Sequence, residues 1–62
     1  MPNGPTFEVF QDSAGEWRWR LVVSNGNIIA DSGEGYQTKQ GAERGIESVK
    51  KNAARARVEI LG

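Results

Sequence analysis

Apolar and polar residues alternate with period two over Glu16-Trp17-Arg18-Trp19-Arg20-Leu21-Val22-Val23. That period predicts a β-strand with two chemically different faces. Trp17, Trp19, Leu21 and Val23 point one way; Arg18, Arg20 and Val22 point the other. A shorter run, Thr6 to Gln11, alternates in the same manner, with Phe7 and Val9 on one face and Glu8 and Phe10 on the other. Asp12-Ser13-Ala14-Gly15 lies between them and carries turn chemistry. Two registers compete for this hairpin. A four-residue loop sets Phe10 opposite Trp17 and Val9 opposite Arg18, which puts Phe7 and Val9 on the arginine side. A type I turn followed by Gly15 as a G1 bulge instead pairs Asp12 with Glu16, Val9 with Trp19, Phe7 with Leu21 and Glu8 with Arg20. The second register matches apolar with apolar and acid with base, and is the one expected.

Asn25-Gly26 predicts a two-residue type I′ hairpin. It pairs Val23 with Ile28, Val22 with Ile29, Leu21 with Ala30 and Arg20 with Asp31. Three strands then form an antiparallel meander with Arg20 flanked by Glu8 and Asp31. The other face collects Phe7, Val9, Trp17, Trp19, Leu21, Val23, Ile28 and Ala30 and needs a cover. Gly33-Glu34-Gly35-Tyr36 breaks the third strand, and Thr38 suits the N-cap of a helix beginning at Lys39. Up to about Ala53, a stripe of Ala42, Gly45, Ile46, Val49 and Ala53 recurs at helical spacing, with Glu47 and Lys51 off it as an i,i+4 pair. Gly45 costs about 1 kcal/mol of helix propensity relative to Ala, which room for the tryptophans beneath the helix would justify. Arg57 to Leu61 alternates again, with Val58 and Ile60 on one side, and reads as a short fourth strand. It returns beside Phe7 or adds to the first strand of a second subunit; the pattern leaves both open. The fold class is α+β in the order β-β-β-α-β, one unit over residues 6–62 behind a flexible lead-in over 1–5.

Composition narrows the function. Sixty-two residues without cysteine lie near the size at which an unassisted core suffices, and no disulfide or thiolate metal site can help. A homodimer is the default source of further buried area. The chain also lacks histidine, the commonest general base and zinc ligand, and its serines therefore lack an activating partner. No catalytic residue, cofactor or metal site is expected, and the protein is not expected to be an enzyme. Eight Lys plus Arg balance eight Asp plus Glu, so the basic excess of a dedicated nucleic-acid binder is missing. No apolar run approaches the roughly 18 residues of a membrane span, and the N-terminus does not resemble a signal peptide. A cytoplasmic protein is expected.

Phe7 to Phe10, Gly15 to Leu21, Asn25-Gly26, Ile28 to Ala30, Gly33 to Tyr36, Lys39 and Gly45 to Ala53 together resemble the YegP-like family of small bacterial and archaeal proteins of unknown function. The resemblance implies a compact β-β-β-α-β unit, present singly or in tandem, and a single unit would rebuild the tandem by pairing with itself. It implies no activity.

The interleaved Trp17-Arg18-Trp19-Arg20 invites a base-stacking, phosphate-binding reading, but period two sends tryptophans and arginines to opposite faces. Gly33-Glu34-Gly35 lacks the rest of a phosphate loop and suits a strand-to-helix crossover. The outer face, with Phe10, Arg18, Arg20, Val22 and Ile29, is the candidate interaction surface. A structural or protein-interaction role leads. The alternatives are a nucleic-acid module using Arg18, Arg20 and the helix lysines, and a small-ligand binder at a cleft between subunits.

Overall fold

The computed structural model describes residues 4–62; most of the expected lead-in over 1–5 therefore lies outside the described residues. Three strands, β1 (Thr6–Gln11), β2 (Trp17–Val22) and β3 (Ile28–Asp31), form an antiparallel sheet in the order β1-β2-β3, followed by α1 (Lys39–Ala53). The helix lies across β2 and β1 and does not reach β3.

The β1–β2 register pairs Phe7 with Leu21, Glu8 with Arg20 and Val9 with Trp19. Asp12 and Glu16 close the turn: the Asp12 N–H donates to the Glu16 carbonyl at 2.8 Å and the Gly15 N–H to the Asp12 carbonyl at 3.0 Å. Gly15 has φ +84°, the left-handed conformation that a G1 bulge requires and that glycine adopts most cheaply. This is the expected bulged register.

The second hairpin departs from expectation. Asn25 does not have the positive φ that a type I′ turn demands of its first central residue; Gly26 alone does, at +90°. The Gly26 N–H donates to the Val23 carbonyl at 2.8 Å and the Val23 N–H to the Asn27 carbonyl at 2.9 Å. This is the same type I turn with a G1 bulge as in the first hairpin, one residue longer than the turn read from Asn25-Gly26. The Asn25 side chain stabilises it locally, its Oδ1 accepting from the Asn27 N–H at 3.0 Å. Val22 consequently faces Ile28 instead of Ile29. A β-bulge between Leu21 and Val22 absorbs the extra residue, and the expected pairs Leu21–Ala30 and Arg20–Asp31 return beyond it.

The core sits where α1 meets β2. Trp19, Ala42 and Ile46 are buried, with Phe7, Val9, Trp17, Tyr36 and Val49 packed around them. Phe7 meets the Trp19 ring edge-on, at 5.5 Å between centroids and 77° between planes, a favoured aromatic geometry. Ile28 and Ala30, expected in this core, are exposed. The bulge puts Ile28 level with Val22 of the opposite face, and no helix covers β3.

Helix bounds follow the sequence. Thr38 takes an extended conformation and its Oγ1 accepts from the Gly41 N–H at 2.9 Å, satisfying one of the unpaired donors of the first turn. Tyr36, just before the cap, pairs with Trp17 through two backbone hydrogen bonds of 2.8 Å each. Its ring lies against the helix at Gly41 and Gly45. A Cβ at Gly45 would run into the Tyr36 phenol and stand 3.2 Å from Trp19 Nε1. The glycine provides clearance for two aromatic rings, not the tryptophans alone.

Two ion-pair and strand expectations change. Glu47 pairs with Lys50 at i,i+3 (3.7 Å), not with Lys51. The expected fourth strand is not formed: the chain turns after Ala53 and Arg57 to Leu61 pairs with no strand among the described residues. Ladder hydrogen bonds need a partner edge, and the single chain does not bring one to this segment.

Candidate interaction surface

β2 is the central strand, so its alternation controls what each face of the sheet presents. The helix takes the tryptophan face and leaves the other bare. Phe10, Arg18, Arg20 and Val22 share that bare face and are half-buried, while Ile29 on β3 is 60% exposed and Ile28 56%. The structure thus brings together four of the five predicted surface residues through β1–β2 pairing. Ile29 joins them only at the bulge, where Ile28 replaces it as the partner of Val22.

Both arginines are held by carboxylates. Arg20 Nε donates to Glu8 Oε1 at 2.7 Å, between residues directly opposite in the ladder. The Arg20 guanidinium also lies over the Phe10 ring, 4.7 Å from its centroid, within cation–π range. Asp31, its register partner on β3, does not join this pair; its Oδ1 instead accepts from the Gly33 N–H at 3.1 Å. Arg18 Nε donates to Asp12 Oδ2 at 2.7 Å.

Asp12 does more than its turn chemistry implies. Its Oδ1 accepts from the N–H groups of Ala14 and Glu16, each at 2.9 Å, while Oδ2 holds Arg18. One carboxylate thereby shapes the turn and anchors the first arginine. The Arg18 guanidinium, followed by the Glu16 and Ala14 amides, holds the Asp12 carboxyl below its ordinary range, and the same contact raises Arg18. The missed signal was register: with Asp12 opposite Glu16, its side chain lies close to the start of β2 and to Arg18. Tyr36 likewise does more than end the third strand: an aromatic just before an N-cap, with glycines at i,i+4 in the helix, marks its place against Gly41 and Gly45.

No group of three or more His, Cys, Asp or Glu capable of holding a metal occurs among the described residues. The surface is a face, with paired charges at one end and aliphatic side chains at the other.

Fold and surface together define a small α+β protein: a three-stranded antiparallel meander, one covering helix and one open sheet face. The family model described as a domain of unknown function, DUF1508, matches residues 12–59. The chain is 49% identical over 55 residues to a UPF0339 protein of Methanosarcina acetivorans, covering 89% of this chain and 93% of that one. It is 56% identical over 48 residues to a UPF0339 protein in the ptx operon 5′ region of Stutzerimonas stutzeri, covering 77% of this chain and 42% of that longer one. A solution NMR structure of a protein from Haloferax volcanii superposes with a TM-score of 0.90 at 60% identity, covering 97% of this chain and all of that one. The solution structure of protein ATU0232 from Agrobacterium tumefaciens superposes with a TM-score of 0.71 at 41% identity, covering 92% and 90%. The chain belongs to the DUF1508 family, whose UPF0339 members are uncharacterised. The family description carries no catalytic activity. No helix among the described residues is long and apolar enough to cross a membrane.

Proposed function

We propose that the chain is a non-catalytic, self-associating domain of the cytoplasm with a structural or protein-interaction role, and that it works as a homodimer. The observation that carries this reading is the open sheet face: Phe10, Val22, Ile28 and Ile29 lie on or beside it, and no element among the described residues covers it. The buried core is small, with Trp19, Ala42 and Ile46 its only buried hydrophobic residues among the described residues. A second copy is a ready source of the missing apolar burial. The non-catalytic half of the proposal rests on composition, since a chain without histidine or cysteine lacks the usual means of activating a nucleophile near neutral pH. A nucleic-acid role gains no comparable support. Arg18 and Arg20 already hold Asp12 and Glu8 at 2.7 Å, and releasing them for phosphates would sacrifice those contacts.

Light scattering after gel filtration tests the proposal at micromolar concentration. The expected mass is that of two chains; a stable, folded monomer overturns the homodimer. Titration with a fluorescent oligonucleotide at low salt provides the counter-test. Binding that weakens steeply with salt would replace this reading with the nucleic-acid one.

A further inference from the structure

Asn25 is followed by Gly26, a residue with no side chain to shield its backbone nitrogen. That nitrogen can attack the Asn25 Cγ carbon and close a five-membered imide. Ser24 to Asp31 are all exposed, and a Cβ built at Gly26 would meet nothing within 4 Å. Solvent and base therefore reach the dipeptide freely.

The closed turn holds the reacting atoms apart. The Gly26 N–H donates to the Val23 carbonyl at 2.8 Å, and Asn25 Oδ1 accepts from the Asn27 N–H at 3.0 Å. Asn25 stands third in a type I turn, where ψ is about 0°. Ring closure needs a rotation about ψ that brings the Gly26 nitrogen to the side of Cβ, so attack waits for the turn to open.

That opening is local. The hydrogen bonds it breaks belong to the turn itself, including the one from the Val23 N–H to the Asn27 carbonyl at 2.9 Å. The helix does not reach β3, and the β2–β3 ladder is already bulged beside the turn. Segments with few buried contacts and exposed hydrogen bonds open at low free energy. The first turn is clamped by comparison: Gln11 Nε2 donates to the Gly15 carbonyl at 2.9 Å, and Asp12 holds Arg18 at 2.7 Å.

The other asparagines of the described residues are less suited. Asn27 precedes Ile28, whose branched side chain crowds the attacking nitrogen. Asn52 lies within α1, and its Nδ2 donates to the Ser48 carbonyl at 2.8 Å. Asn3-Gly4 repeats the dipeptide, but Asn3 lies outside the described residues.

We infer that Asn25 is a site of spontaneous covalent modification, deamidated by the Gly26 nitrogen when the second turn opens in an otherwise folded molecule. Base removes the Gly26 amide proton, and the nitrogen forms a bond to Asn25 Cγ. The Cγ–Nδ2 bond breaks, and Nδ2 takes up a proton and leaves as ammonia. Water then opens the imide. Cleavage between the Gly26 nitrogen and Cγ leaves aspartate at this position. Cleavage between that nitrogen and the Asn25 carbonyl carbon leaves isoaspartate, whose main chain runs through Cβ and Cγ. The net change consumes one water and releases one ammonia. Both products add a negative charge, and isoaspartate also lengthens the main chain where the bulged ladder begins.

The test incubates the full chain in mildly alkaline buffer, at urea concentrations below and above its unfolding transition. Mass spectrometry follows the tryptic peptide from Leu21 to Lys39, and fragmentation locates the exchange of NH2 for OH. An isoaspartyl methyltransferase assay separates the two products. Conversion is expected at Asn25 in the folded protein, ahead of Asn27 and Asn52 and more slowly than in the unfolded chain. Its rate should change little with urea below the transition, because a local opening exposes little surface. Asn25→Gln, whose longer side chain closes a less favoured ring, should remove it. A folded protein that keeps Asn25 intact while the unfolded chain converts overturns the inference. A rate that climbs with urea in step with global unfolding overturns it too, since attack would then require the whole domain to open.

Discussion

The two hairpins use one turn and end with different ladders. Asp12 to Glu16 and Val23 to Asn27 both close as a type I turn with a left-handed glycine. The first passes into an unbroken ladder; the second needs a bulge within two residues of the turn. The difference lies in what covers the strands. The helix packs on β1 and β2, so a slip of one residue there would turn Phe7 and Val9 away from Trp19 and Ile46. Along β3 no helix is present to penalise the slip, and its side chains are exposed either way. Register is strongly specified where a face is buried and weakly where it is not. Turn chemistry can thus override the expected pairing near Asn25, yet yields to it again at Leu21–Ala30.

Three measurements can break or sharpen this contrast. The largest effect is expected at Trp19, where substitution by Ala removes the ring at the centre of the core. Chemical denaturation should show a loss of about 3–5 kcal/mol, enough to unfold a domain of this size. Ile28→Ala, at an exposed position of the second hairpin, should change stability by about 0.5 kcal/mol or less, measured below the concentration of self-association. Equal losses at the two positions would contradict the division between covered and uncovered strands.

The turns themselves should behave alike. Gly15→Ala and Gly26→Ala each place a side chain at positive φ with open space around it, so the cost is conformational, about 1–2 kcal/mol. Similar losses in the two variants would sharpen the view that one turn type serves both hairpins. Asn25→Ala should be milder than Gly26→Ala, since it removes only a side-chain hydrogen bond; a type I′ turn would make Asn25 as sensitive as the glycine.

The smallest effect concerns pH and belongs to the first turn alone. The Asp12 carboxyl is held below its ordinary range, principally by Arg18. Its contribution is therefore fully present above the unfolded-state value of about 4 and is lost as pH falls through the lower folded-state value. Asp12→Asn should flatten the decline of stability below about pH 4. The second turn has no carboxylate in the equivalent place, Val23 standing where Asp12 does. An unchanged acid limb in the variant would show that the Asp12–Arg18 pair contributes nothing measurable.

Local signals were sufficient for much of this molecule. The bounds of β1 and α1, the Thr38 cap, the bulged first hairpin and the separation of tryptophans from arginines all follow from alternation, glycine and cap chemistry within a few residues of each element. They could be read because neighbours along the chain decide them. Of the candidate surface, Phe10, Arg18, Arg20 and Val22 share a face because β2 alternates and the first register pins β1 to it.

What only the tertiary structure decided depends on contacts between distant segments. Ala30 is exposed because the helix stops short of β3, a docking choice with no local signature, and Ile28 because the bulge sets it beside Val22 on the open face. Tyr36 reaches from before the cap to Gly41 and Gly45 because its backbone pairs with Trp17, nineteen positions earlier. Asp12 holds Arg18 instead of acting in the turn alone because the ladder brings them within 2.7 Å. Arg57 to Leu61 carries the alternation of a strand, yet alternation describes side-chain faces only. Whether it becomes a strand depends on a hydrogen-bonding edge, which another part of the fold, or another molecule, must supply.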